Sequence, residues 1–351
     1  MTIQDLTVSE TPLVADALHV ELEAQNELTG SQIAAGAFIH FVAVAERVGA
    51  TTKRLEKSAI LGDYLTSLED ADLLLAARYF AGYAFSLRDQ RTTNIGTAAL
   101  LTAIVAVSGA DNTHIRERLV VLGDPGDVAR EVLADTSNAT QPPTLTLLVI
   151  AGVLEKLAAT SGSKAKTEQV AVVLRRSTPL EAEYIVKLLS GDLRIGLKEG
   201  AVEDALARLA KTEVGRIQWA NMLTGDIGET ALLARRGDLD LARLRLFHPL
   251  KFMLATPAAD LADVQTQMPT AFVVEDKFDG IRAQAHIAPD PPDGQTLHGV
   301  VSNGVRVALF SRTLDEITGS FPDLVAPLAA LLPQTSIRAG IASKRPTAEG
   351  S

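Results

Sequence analysis

The sequence contains no cysteine, which removes a disulfide framework, a thiolate metal site and a cysteine nucleophile together. Aromatic residues are scarce, at 4% with a single tryptophan. That scarcity argues against an all-β sandwich, whose strands draw on aromatic and β-branched side chains. Long apolar runs are missing too: no uninterrupted stretch reaches the roughly 18 residues a membrane span requires. The opening MTIQDLTVSETPLVADALHV has no basic segment ahead of an apolar one, so neither a signal peptide nor a membrane span is expected. Without a sign of an oxidising compartment, a cytoplasmic setting is the expectation, and the chain is expected to be a monomer. What is present is ordinary globular material: 351 residues, 47% hydrophobic and 22% charged, rich in the helix formers alanine and leucine, and enough for about two or three domains.

The net charge of −10 argues at first against a polyanionic partner, since phosphate binding rests on clustered lysine and arginine. The charge is unevenly spread. Residues 1–150 hold 10 basic and 19 acidic side chains, residues 151–216 hold 11 and 9, and residues 217–351 hold 12 and 15. Only the middle stretch is basic, and a positive face is expected there.

From about Ser31 the apolar residues recur at helical spacing; Phe38, Phe41, Val42 and Ala45 lie at i, i+3, i+4 and i+7. Similar patterns continue to about residue 235, with breaks at GDPGD (Gly123–Asp127), at Gln141-Pro142-Pro143 with Thr144 as a helix cap, and at an SGSKAK loop (Ser161–Lys166). After Pro249 the period changes. AFVVEDKF and GIRAQAHI read as strands joined at Asp279-Gly280, and a second pair, QTLHGVVS and VRVALFSR, joins at Asn303-Gly304; both dipeptides favour tight hairpin turns.

The sharpest local feature is Glu275-Asp276-Lys277-Phe278-Asp279-Gly280-Ile281-Arg282. In an extended run Glu275 and Lys277 face the same side, and Arg282 opens the returning strand. A lysine beside other cations and a bound metal nucleotide has its pKa lowered, freeing the lone pair for attack on phosphorus. Taken alone, Lys-x-Asp-Gly is equally a solvated surface hairpin. The six histidines show no metal-ligand spacing, and no metal ligands are assigned.

EDKFDGIR resembles the first signature motif of the ATP-dependent DNA ligases, within the covalent nucleotidyltransferase superfamily, in which the lysine becomes adenylated. PLKFMLA (Pro249–Ala255) is similar to the segment leading into their adenylation domain, and LFSRTLDEITGSFPDL (Leu309–Leu324) to the next motif, with Arg312 at its arginine. FVAVAERVGATTKRLEKSAILGDYL, STPLEAEYIVKLLSGDLRIGLKEGAVEDALA and the SGSKAK loop are similar to their helical DNA-binding domain. The likeness covers about residues 35–325. It implies a multidomain chain: an all-α N-terminal DNA-binding domain, then a partial α+β antiparallel-sheet nucleotidyltransferase domain. The boundaries expected are a 1–30 extension, a helical domain over 31–235, a partial adenylation domain over 236–335 and a 336–351 tail, without the OB-fold.

The resemblance further implies ATP and Mg²⁺ as cofactors and nicked duplex DNA as partner. Lys277 would be the catalytic nucleophile, with Glu275 at or near the adenine and Arg282 and Arg312 on ribose or phosphate. Among the basic residues of the middle stretch, Lys164 and Arg194 are the individual candidates for DNA phosphates. The chain departs from the family where an acidic residue should follow Leu-Asp-Gly: SIRAGIASKRPTAEGS places Ile341 at the glutamate. The expectation is therefore a ligase impaired in sealing. Two alternatives stay open, an RNA ligase or capping-type nucleotidyltransferase and a non-catalytic DNA-binding remnant.

Overall fold

The computed structural model describes residues 36–251, 256–276, 279–290, 298–331 and 338–344; the expected 1–30 extension lies outside them. The described chain divides into two compact units. One comprises residues up to Ser86, Arg91–Ile217 and Ile227–Leu239; the other comprises Leu87–Gln90, Gln218–Asp226 and the chain from Asp240 onward. Among the described residues no helix is long and apolar enough to cross a membrane.

The N-terminal unit is all helix: α1 (Phe38–Gly49), α2 (Arg54–Ser67), α3 (Asp70–Phe80), α4 (Thr97–Ser108), α5 (Asn112–Leu122), α6 (Pro125–Leu133), α7 (Leu147–Ala159), α8 (Ser163–Arg175), α9 (Pro179–Leu189), α10 (Glu199–Ala210), the start of α11 (Val214–Thr224), and α12 (Ile227–Arg236). The period-3.6 stripe on α1 is the core: Phe38, Phe41, Val42 and Ala45 are all fully buried. Aromatic rings meet there, with Phe38 stacked on Phe41 at 5.5 Å and Phe41 meeting Phe80 at 4.4 Å between ring centres. The helix ends follow local chemistry. Asp124 accepts from the N–H groups of Gly126 and Asp127 and caps α6, whose first residue is Pro125. Thr178 and Glu181 form a reciprocal capping box on α9.

Two sequence expectations shift here. The α7 cap is Thr146, not Thr144, because residues 145–146 stay extended to pair with the chain entering α1: Phe38 N–H donates to Leu145 and Leu147 N–H to Gly36. The SGSKAK stretch is mostly helix, since Gly162 caps α8 and both Lys164 and Lys166 lie within it.

The C-terminal unit is an antiparallel sheet with short helices α13 (Leu261–Gln267) and α14 (Pro322–Ala329). Its strands are β1 (Ile281–Pro289), β2 (Val300–Ser302), β3 (Val305–Phe310) and β4 (Arg338–Lys344), in the order β2-β3-β1-β4. The Asn303-Gly304 hairpin forms as expected, with both residues at positive φ, 53° and 76°, the conformation that favours this dipeptide. Alternation sorts β1 and β3 into two faces. Ala285, Ile287, Val307 and Leu309 pack with Val325 and Ala329 of α14, whereas Ala288, Ala308 and Phe310 pack with Phe247. Backbone of Arg338–Lys344, within the segment read as a tail, runs beside β1 with Ile341 opposite Gln284.

Candidate functional site

Lys277 lies outside the described residues, as does Phe278. Glu275 is exposed on irregular backbone, and the strand expected over 271–277 is not formed among the described residues there. The reason is pairing. β1 has two hydrogen-bonding edges, one taken by β3 and the other by β4, so residues 272–276 have no ladder to join on β1. Val273 and Val274 are consequently 80% and 83% exposed.

The two candidate arginines do come to one end of the sheet. Gln284 pairs with Phe310, and continuing that register sets position 282 opposite position 312. Arg282 is exposed at the start of β1, and Arg312 is exposed in the turn after β3. Two guanidiniums at one sheet end suit an anion with several oxygens.

Sequence reading missed the residues that organise this end. Arg282, Gln284 and His286 alternate onto one face of β1. On that face Gln284 brackets Leu250, accepting from its N–H at 2.9 Å and donating to its carbonyl. His286 Nδ1 accepts from Phe247 N–H at 2.9 Å, and its ring meets Phe310 edge-on at 5.1 Å. Phe247 is held at φ +65°, an uncommon conformation for a bulky residue, and burial pushes the His286 pKa down from 6.5 to about 4. The imidazole is therefore a neutral acceptor at physiological pH. Together the two side chains hold Phe247 and Leu250, where the chain enters the Pro249–Ala255 segment. Period two from Arg282 was the signal that would have found them.

Among the basic side chains of the helical unit, the structure separates solvent-facing groups from internal ones. Lys164 is exposed in the first turn of α8. Arg194 has a half-exposed side chain, a left-handed backbone at φ +54°, and is braced by Asp124 at 3.0 Å and the Gly123 carbonyl at 2.9 Å. The loop carrying it is held from behind by buried Lys57, whose Nζ donates to Ile195 at 2.7 Å and Gly196 at 3.0 Å. Lys166 and Lys187 are buried: Lys166 donates to the Thr93 carbonyl at 2.6 Å, and Lys187 pairs with Glu183 and Asp127 at 2.5 and 2.8 Å. These two, although within the basic stretch 151–216, belong to the fold and not to the positive face expected there. α9 and α6 approach closely at Gly126, where a Cβ would meet the Glu183 carbonyl at 2.7 Å. Arg54, Arg208 and Lys211 add a second basic surface around a groove of about 580 Å³ that also contains Asp204 and Glu213.

Comparison with known proteins bears on both regions. Residues 37–207 match the family described as DNA ligase N terminus. A probable DNA ligase of Koribacter versatilis is 41% identical over 286 residues, 82% of this chain and 46% of that protein. A probable DNA ligase of Opitutus terrae is 34% identical over 84% of this chain and 34% of its own length. A DNA ligase of Methanothermobacter thermautotrophicus is 31% identical over 84% of this chain and 52% of its own length. The chain thus spans between a third and about half the length of these relatives. A 286-residue alignment on a 351-residue chain includes positions 66–286 wherever it starts, so the Koribacter likeness takes in Glu275, Lys277 and Arg282.

Proposed function

The chain carries the N-terminal region of the DNA ligases, and from that premise we propose that it belongs to an ATP-dependent enzyme that seals nicks in duplex DNA through a lysyl-AMP intermediate on Lys277. The observation that carries this reading is the reach of the likeness, from the helical unit through the lysine segment.

The donor set suits the nucleotide. A carboxylate at Glu275 can accept from an exocyclic amine or ribose hydroxyl, and Arg282 and Arg312 supply planar donors for phosphate or ribose oxygens. Among the described residues no group of three His, Cys, Asp or Glu side chains could hold a metal ion, and no protein ligand is assigned to Mg²⁺. When bound, Mg²⁺ neutralises phosphate charge. The chain's own part is positioning. Attack requires the neutral amine of Lys277, and its Nζ lone pair attacks the α-phosphorus as the bond to pyrophosphate breaks. The resulting phosphoramidate passes AMP to the 5′-phosphate at a nick. Attack by the neighbouring 3′-hydroxyl on that phosphate then expels AMP. Lys164 and Arg194 contact backbone phosphates of the duplex without reading its sequence.

In this chain the first step is impaired. β4 (Arg338–Lys344) holds no Asp or Glu, although the family pattern sets an acidic residue where Ile341 stands. Incubating the full chain with ATP labelled at the α-phosphate, followed by denaturing electrophoresis, tests both points. Weak label that disappears in Lys277→Ala and strengthens in Ile341→Glu is expected, together with little sealed product on a nicked duplex. Strong sealing by the unaltered chain would refute the impairment. Complete absence of label even in Ile341→Glu, with DNA binding retained, would favour the second reading, a DNA-binding remnant.

A further inference from the structure

Gln90 comes from the stretch between α3 and α4 in sequence, yet Leu87–Gln90 belongs to the C-terminal unit. Its side-chain amide makes three hydrogen bonds. Nε2 donates to the Leu314 and Leu87 carbonyls, each at 2.8 Å, and Oε1 accepts from Glu316 N–H at 3.0 Å. Contacting the carbonyl of one residue and the N–H of the residue two further on is how a neighbouring strand would hold this backbone.

The segment so held is the Arg312 turn. Leu314 N–H donates to the Ser311 carbonyl at 3.0 Å and Ser311 N–H to Asp315 at 2.8 Å, which folds Arg312 and Thr313 to the tip. Ser311 Oγ accepts from both Thr313 N–H and Asp315 N–H at 3.1 Å. Leu314 closes the turn at φ +72°, a conformation normally given to glycine, which persists only where the surroundings over-determine it. Gln90 is itself at φ +59°. Two left-handed non-glycine residues joined by one hydrogen-bonded amide show that the turn is held against its local preference.

We propose that Gln90 is a positioning residue for Arg312, fixing the turn that presents this guanidinium to the oxygens of a bound nucleotide. The proposal rests on the reading of Arg312 given above. It assigns a role in the nucleotide site to a position embedded in the sequence of the helical unit.

The test uses the full chain and α-labelled ATP in equilibrium dialysis, with amide hydrogen exchange measured on the same proteins. Gln90→Gly removes the amide and relaxes the left-handed backbone; Gln90→Glu keeps the acceptor but loses the donor to Leu314. Both are expected to weaken ATP binding about tenfold, the scale of one well-placed hydrogen bond, and Gln90→Gly, which removes the acceptor for Glu316 N–H, to accelerate exchange at the Glu316 amide. Combined with Arg312→Ala, Gln90→Gly is expected to add no further loss, because both changes remove one contact. Multiplying losses in the double variant, or unchanged protection of Glu316, overturns the proposal. If the unaltered chain binds no ATP, the nucleotide site itself is misassigned and the role of Gln90 falls with it, whatever the exchange data show.

Discussion

At Asp72, in the first turn of α3, burial opposes ionisation and the neighbouring Glu69 adds repulsion, so the carboxyl pKa rises from 3.8 to about 6. Its Oδ1 is buried without a hydrogen-bond partner. A carboxyl with a raised folded-state pKa weakens the fold as pH climbs from about 4 through 6, because the unfolded chain ionises freely over that range. Asp72→Asn is expected to melt a few degrees higher than the parent at pH 7.5 and at the same temperature near pH 4; thermal melts at both pH values decide it. His286 shows the opposite slope. Its folded pKa of about 4 lies below the ordinary 6.5, so the unfolded chain takes up the proton first and stability falls as pH drops from 6.5 toward 4, by about 3 kcal/mol in full. His286→Gln retains an acceptor for Phe247 N–H but does not titrate. Denaturation of the C-terminal unit followed between pH 7 and 4 should lose most of its acid slope in this variant, and an unchanged slope would assign the sensitivity elsewhere.

At the level of elements, α6 and the 191–196 loop are joined through Asp124, which caps the helix with one oxygen and pairs with Arg194 through the other. Asp124→Asn keeps the cap and releases Arg194. Asp124→Ala loses both and should cost about 1–2 kcal/mol in chemical denaturation. If Arg194 contacts a phosphate, Arg194→Ala lowers the slope of log K against log salt by about one for duplex DNA, whereas Asp124→Asn leaves that slope intact or steepens it. How much of this was legible in advance depended on range. The α1 stripe, the Asn303-Gly304 turn and the GDPGD break are written in neighbouring residues, and they formed nearly as read. The strand expected at 271–277 did not form among its described residues, 271–276, because strand pairing is decided by a distant competitor: residues 338–344 occupy the edge of β1. Likewise Lys166 and Lys187 read as surface charge, and only the packing of α8, and of α9 on α6, shows that their ammonium groups serve buried carbonyl and carboxylate oxygens. Gln90 carried no local signal, since a side-chain amide that brackets backbone 224 residues away leaves no periodicity.

Across the whole molecule, the two units have separate cores of unequal size. The helical unit buries Phe38, Phe41, Leu61, Leu65, Leu73, Tyr79, Leu100, Ile104, Ile115, Leu133 and Tyr184 almost completely. Among its described residues the C-terminal unit packs small clusters, one of Ala285, Ile287, Val307, Leu309, Val325 and Ala329, another of Phe247, Ala288, Ala308 and Phe310. Buried apolar area sets the scale of stability, so heating should give two transitions, the C-terminal unit melting first, in place of one two-state event. Ligands then report which unit they bind, because stabilisation acts through the folded form that holds them, about 2.7 kcal/mol at a hundredfold excess over Kd. ATP is expected to raise the lower transition alone, and a nicked duplex the upper one, with the duplex effect fading as salt is increased. Calorimetry of the full chain with each ligand separates the readings. A shift of the lower transition by ATP supports nucleotide capture by the sheet unit, whereas a duplex-only shift of the upper transition leaves the chain as a DNA-binding protein whose lysine segment is silent.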